Sequence, residues 1–216
     1  MLSIIIPAHN EQDYILKTID SIKKQNFKDY EIIVVLDGCT DNTLKLIKNK
    51  VDKIIILKNK KGPAIAKNEG AKVSNGDILV FLDADTLLTL SLLNVIESEK
   101  DNYSVGTALI KPSSNKFKHK LFMWMKNKII TPIGVSNGII FCKKKLFYKE
   151  GCFPIVKKGE DGKFIRRLLR KNKFFIAKNY VISSTRRFDS KGYFSVMFYW
   201  VKEYFKPTKK DYEVIR

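Results

Sequence analysis

Two aspartates one residue apart, Asp83 and Asp85, close the apolar run DILVFL (77–82). If that run is a strand, alternation puts both side chains on one side, and at a strand end both can leave the sheet for a crevice. Carboxylates so placed repel unless a cation lies between them, and hard divalent ions such as Mg²⁺ or Mn²⁺ take oxygen ligands of this kind. Standing alone, the pair would read as solvated turn carboxylates. It does not stand alone: Pro7, Ala8, His9, Asn10 and Glu11 follow the run LSIII (2–6), and Asp37 and Gly38 follow EIIVVL (31–36).

Those polar groups need a scaffold. LSIII, EIIVVL, KIIIL (53–57) and DILVFL are short, Ile- and Val-rich and apolar throughout, as strands buried on both faces must be. Between them, 11–25 carries Tyr14, Ile15, Ile19 and Ile22 at helical spacing, and 41–50 and 63–74 are helical by composition. Strand and helix in alternation predict right-handed crossovers and a mostly parallel central sheet flanked by helices, an α/β fold. In such sheets ligands sit at the carboxyl ends of the strands, where the polar groups of the first half fall. Further on the pattern predicts a basic amphipathic stretch (111–130), a strand (136–142) and helices at 143–149 and 160–171. A hairpin-like pair at 174–183 and an aromatic helix at 193–206, ended by Pro207, complete it.

The net charge of +19 would by itself suggest nucleic acid or an anionic membrane. Its distribution is uneven: residues 1–108 carry a net −1 and residues 109–216 a net +20. The three cysteines are widely spaced, so neither a disulfide framework nor a zinc knuckle is expected, and a reducing, cytoplasmic compartment is. The start MLSIIIPAHNE does not read as a signal peptide, and no run reaches the length of a membrane span.

The ordered set IIIPAHNEQDYILKTIDSI, EIIVVLDGCTDNT, GPAIAKNEGA and GDILVFLDADT resembles the successive motifs of the family 2 glycosyltransferases, with a nucleotide-diphospho-sugar transferase (GT-A) fold. The resemblance continues more loosely through SNGIIFCKKKLF, GEDGKFIRRL and STRRF. It implies a single GT-A-type domain over 1–190, with a nucleotide-sugar-binding half (1–108) and an acceptor and catalytic half (109–190). A basic aromatic helix and tail (191–216) would follow.

The resemblance also implies roles. Pro7, Ala8, Asn10 and Glu11 would surround the nucleoside, Asp37 would accept from the base, Asp83 would lie near ribose and sugar, and Asp85 would be the metal ligand at the diphosphate. Glu160-Asp161 matches the family's acidic pair, with Asp161 as catalytic base of an inverting transfer. Arg186-Arg187 matches a loop that closes over the diphosphate, for which paired guanidiniums are suited. Lys67 stands where an arginine is usual, Leu36 where a further aspartate is frequent, and His9 in place of an aromatic hydroxyl. The donor expected is a UDP- or GDP-linked sugar, the cofactor Mg²⁺ or Mn²⁺.

The acceptor expected is a hydroxyl or lipid phosphate, anionic or lipid-linked, at the inner face of the cell membrane. There the lysines and aromatics of 116–128 and 193–210 would meet lipid. Docking of 193–205 on the domain or on a partner subunit is the alternative. A nucleic-acid-binding protein is disfavoured, because no RRM, KH, helix-turn-helix or zinc motif is present. A sugar nucleotidyltransferase would be expected to open with a glycine-rich basic loop, whereas PAHNE has neither glycine nor lysine nor arginine.

Overall fold

The computed structural model describes residues 1–156, 159–169, 173–193 and 195. Its centre is the first, second and fourth apolar runs: β1 (Leu2–Ala8), β2 (Tyr30–Asp37) and β4 (Ile78–Leu82), parallel neighbours in the order β2-β1-β4. Alternation splits their side chains between two cores. Leu2, Ile4, Ile6, Val34 and Leu36 face one side, where α1 (Ile15–Lys23) lays Ile15, Ile19 and Ile22. Ile5, Ile33 and Val35 face the other, against Ala64, Ala66 and Ala71 of α3 (Pro63–Lys72) and Phe164, Ile165 and Leu168 of α7 (Glu160–Leu169). At Gly70 a Cβ would meet Ile5 Cγ2 at 2.4 Å, so glycine is what lets α3 lie this close to β1.

β3 (Lys53–Leu57) extends the sheet beside β2 as its edge. It is only partly covered, with Ile56 60% exposed, so the expectation of burial on both faces fails for this run, which among the described residues is the edge of the sheet. On the opposite side the sheet continues through β7 (Ile139–Lys143), β6 (Val105–Pro112), β8 (Phe174–Ser183) and β5 (Thr86–Leu88), in the order β4-β7-β6-β8-β5. Parallel pairing holds for β1–β2, β1–β4, β2–β3 and β6–β8, and β7 and β5 run antiparallel to their neighbours.

The expected hairpin at 174–183 is instead the single strand β8. The register against β6 passes from Ala108↔Ala177 to Leu109↔Tyr180, so the turn-like Lys178-Asn179 is taken up as a bulge. The remaining helices are α2 (Thr43–Ile47), α4 (Leu92–Ser98), α5 (Phe117–Met125), α6 (Lys144–Lys149) and α8 (Arg186–Lys191). α5 runs on as a π-helical turn (Lys126–Ile130) and a 3₁₀ turn (Thr131–Ile133). The aromatic helix expected over 193–206 falls, beyond Ser195, outside the described residues.

One carboxylate ties three of these pieces together. Glu31 of β2 accepts from the Ser3 hydroxyl of β1 (2.6 Å) and the Asn75 backbone N–H before β4 (2.5 Å), and pairs with Lys53 of β3 (2.8 Å). Burial alone would raise its pKa, but the bonds from Lys53, Ser3 and Asn75 outweigh it and hold the carboxyl below its ordinary 4.5. A depressed pKa gives stability that is present above the unfolded value and lost as pH falls through the folded one. Glu31→Gln is therefore expected to cost about 2 kcal/mol at pH 7 and far less near pH 3, read by urea denaturation at both.

Candidate active site

The carboxyl ends of β1, β2 and β4 open into a cavity of about 350 Å³. Pro7, Ala8, His9 and Glu11 enter it from the end of β1, Asp37 from β2, and Asp83, Ala84 and Asp85 from β4. Val135, Ser136, Asn137 and Gly138 arrive from the segment before β7, Glu160, Asp161 and Arg166 from α7, and Ser183, Ser184 and Arg186 from the end of β8.

Asp83 and Asp85 are held by backbone anchors. The Asp83 N–H donates to Gly138 O (2.9 Å), and the buried Thr18 hydroxyl of α1 donates to Ala84 O (2.7 Å). Gly138 has φ +80°, and a Cβ there would meet Thr86 Oγ1 at 2.6 Å and Asp83 Oδ2 at 3.4 Å. A side chain there would collide with Thr86, and the left-handed backbone itself favours glycine. A cationic group already stands against Asp85: Arg186 Nη2 lies 3.1 Å from its Oδ2, and 3.0 and 3.1 Å from the two oxygens of Glu11. The same guanidinium stacks over Tyr14 at 4.6 Å. Burial pushes the Glu11 carboxyl up, against the pull of Arg186.

No group of three His, Cys, Asp or Glu side chains able to hold a metal is present among the described residues. Two carboxylates suffice for Mg²⁺ or Mn²⁺ where substrate phosphates and water complete the shell, so Asp83 and Asp85 fit such an ion. Arg186 at Asp85 marks the place as one built for positive charge.

The opposite wall is organised by Lys67. Its side chain is 3% exposed, and its ammonium lies 2.5 Å from Asp161 Oδ1, 3.1 Å from Glu160 Oε1 and 5.0 Å from the Phe153 ring centroid. Burial opposes its charge, but Asp161, Glu160 and Asp83 more than reverse this and hold the ammonium protonated. Burial likewise raises Glu160, partly offset by Lys67. The other oxygen of Asp161 accepts from the Ser136 hydroxyl (3.2 Å).

Of the residues expected at a site, Pro7, Ala8, Glu11, Asp37, Lys67, Asp83, Asp85, Asp161 and Arg186 share this one cavity. Asn10 stands outside the lining. It adopts a left-handed backbone (φ 56°), and its Oδ1 accepts the Thr40 N–H (2.8 Å), bracing the 39–41 loop. Asp37 is buried, accepting backbone N–H bonds from Lys61 (2.6 Å) and Gly62 (2.8 Å) and so fixing the turn into α3. Arg187 lies in α8, and its side chain is outside the described residues.

Ser136, Asn137, Arg166 and Lys126 also line the cavity, and nothing local in the sequence marks them as site residues. Lys126 belongs by sequence to the lysines expected at a membrane, yet it is 5% exposed, and its ammonium donates to Ser136 O (3.2 Å) inside the cavity. A helical-face count from Phe122 and Met123, buried on the inner side of α5, would have found it.

A sheet of this order with carboxylates at its switch edge defines a GT-A type α/β fold. Solved structures share it: Staphylococcus aureus TarS residues 1–349 in complex with UDP-GlcNAc aligns with TM-score 0.71 at 22% identity over 86% of this chain and 58% of that one. A Pyrobaculum calidifontis mannosyltransferase in complex with GDP-Man and Mn²⁺ aligns with TM-score 0.67 at 19% identity over 84% of this chain and 56% of that one. The model for Glycosyl transferase family 2 matches residues 3–205, and the chain belongs to that family.

A Campylobacter jejuni relative, a GalNAc(5)-diNAcBac-PP-undecaprenol beta-1,3-glucosyltransferase, is 36% identical over 126 residues, 54% of this chain and 41% of its own length. The chain spans between a quarter and about two fifths of the first curated relatives it matches.

Removing the ammonium that faces Glu160 and Asp161 takes from two carboxylates, one of them buried, the cation that lies between them. Lys67→Met is expected to lower stability by about 3 kcal/mol in urea denaturation. An unchanged midpoint would show that the triad holds nothing.

Proposed function

We propose that the chain transfers a sugar from a nucleoside-diphosphate sugar to an acceptor hydroxyl, with a divalent metal and with inversion. The observation that carries this reading is that Asp161 and the pair Asp83 and Asp85 line one cavity in a chain of this family. The acceptor is proposed to be lipid-linked, in keeping with the undecaprenol-linked acceptor in the Campylobacter relative's name. UDP-GlcNAc bound to TarS and GDP-Man with Mn²⁺ bound to the mannosyltransferase support a nucleotide sugar and a metal.

In this reading the nucleoside lies against Pro7, Ala8 and the Asp37 turn, and the diphosphate reaches Asp83 and Asp85. Arg186, now on Glu11 and Asp85, turns to the phosphates when they arrive, since a guanidinium fork suits phosphate as well as carboxylate. A divalent ion at Asp83 and Asp85 would supply positive charge for the negative charge that grows on the departing diphosphate. Lys67 fixes one oxygen of Asp161, and the acceptor hydroxyl takes the place of Ser136 on the other. The acceptor's proton passes to Asp161, and its oxygen forms the new bond to the anomeric carbon. The old anomeric C–O bond breaks, its electron pair leaving with the nucleoside diphosphate.

Asp161→Asn is expected to bind donor as the native chain does and to lose at least about a hundredfold in transfer rate. Thermal stabilisation by a panel of UDP-, GDP- and dTDP-sugars would select the donor for that assay. An active Asn variant would remove Asp161 as base. Calorimetry with UDP and GDP is expected to show Mn²⁺-dependent binding that Asp85→Ala abolishes. Equal affinity in EDTA would overturn the metal's role.

A further inference from the structure

α5 and the turns that extend it have two different faces. The inner face buries Phe122 and Met123 and sends Met123 and Lys126 into the active-site cavity. The outer face carries Phe117, Leu121, Trp124, Met125, Ile129 and Ile133, all exposed, Phe117 by 77%, Trp124 by 59% and Ile129 by 62%. Apart from the adjacent Trp124 and Met125 they are spaced by three to four residues, which makes one stripe over 117–133, about 25 Å long at helical rise. Exposed Lys118, Lys120 and Lys128 accompany it. Lys116 at its start is paired with Asp189 of α8 at 3.8 Å.

We propose that this outer face is a docking surface for a bilayer containing anionic phospholipid. An apolar stripe of this size on a soluble surface calls for a partner, and charge decides which. Residues 102–149 contain ten lysines and no Asp or Glu, so the partner that fits is anionic around an apolar interior. A second copy of the chain would set lysines against lysines in a two-fold contact. Residues 196–216 carry five cations and three carboxylates, so they bring no net countercharge. Nucleic acid supplies the charge but leaves the indole and aliphatic side chains in water. A phospholipid surface satisfies both, the stripe entering the headgroup boundary while the lysine stems reach outward to the phosphates.

Docked this way, α5 presents its other side, with Met123 and Lys126, to the cavity. A lipid-carried acceptor would meet the active site beside the surface that holds its anchor. The inference goes beyond the transfer reaction, and its test requires no sugar transfer, so either can fail without the other.

The test is sedimentation with vesicles of phosphatidylcholine alone or with roughly one-third phosphatidylglycerol, at low salt. It is joined to Trp124 emission in a Trp200→Phe background, where Trp124 is the one indole left. Binding to the anionic vesicles with a blue shift of Trp124 is expected. The triple variant Leu121→Ser, Trp124→Ser, Ile129→Ser, all surface positions, is expected to bind at least about tenfold more weakly. Nucleotide-induced thermal stabilisation of that variant is expected to be unchanged, which reports that it folds. Absence of binding to anionic vesicles, equal binding by the triple variant, or a Trp124 emission already blue and unmoved by vesicles would each overturn the proposal. The last would mean that another part of the chain, or a second copy, covers the face.

Discussion

Lys67 is a cation placed where both halves of the site need it. It leaves α3, an element of the first half, and ends between Glu160 and Asp161, the first turn of α7 in the second. A buried ammonium is costly unless it is paired, and a buried carboxylate equally so, so neither wall is stable without the other. Its neighbour Asn68 makes the same crossing by two bonds to the backbone of Phe153, each 3.0 Å. A short segment of α3, seated on β1 through Gly70, thus helps fix the position of Asp161 relative to Asp83 and Asp85, together with Ser136 and the packing of α7 on the sheet.

How much of this was legible in the sequence follows the range of the interactions. The strands β1, β2 and β4 and the carboxylates at their ends were readable because a fully apolar run with polar residues at one end is a local pattern. The partner of Lys67 was not, because nothing near Pro63–Lys72 announces that its lysine meets a helix that begins at Glu160. Lys67, which stands where the family resemblance puts an arginine and implies contact with the nucleotide sugar, lines the cavity and pairs there with the acidic residues of α7. Lys126 was hidden for a different reason: in a run rich in lysine and aromatics, composition is the same on both sides of the helix, and only the phase of the turn separates buried from exposed. The bulge at Lys178-Asn179 shows a third limit, since a turn-like dipeptide and a strand irregularity use the same residue types.

The charge asymmetry also takes a more specific form. Within the cavity, cations and carboxylates are interleaved: Lys67, Lys126 and Arg186 stand among Glu11, Asp83, Asp85 and Asp161. Half of the +20 carried by residues 109–216 falls in 109–149, which holds ten lysines and no Asp or Glu, and of those lysines Lys126 alone lines the cavity.

β5 begins at Thr86, directly after Asp85, and pairs in register with Ser183, two residues before the turn that presents Arg186. The aspartate and the arginine that now grip one another hang from the same two-stranded ladder, at the same end. The start of α8 and the Asp85 backbone are therefore coupled through backbone hydrogen bonds, so the spacing of the two charged groups is set by the sheet rather than by their own side chains.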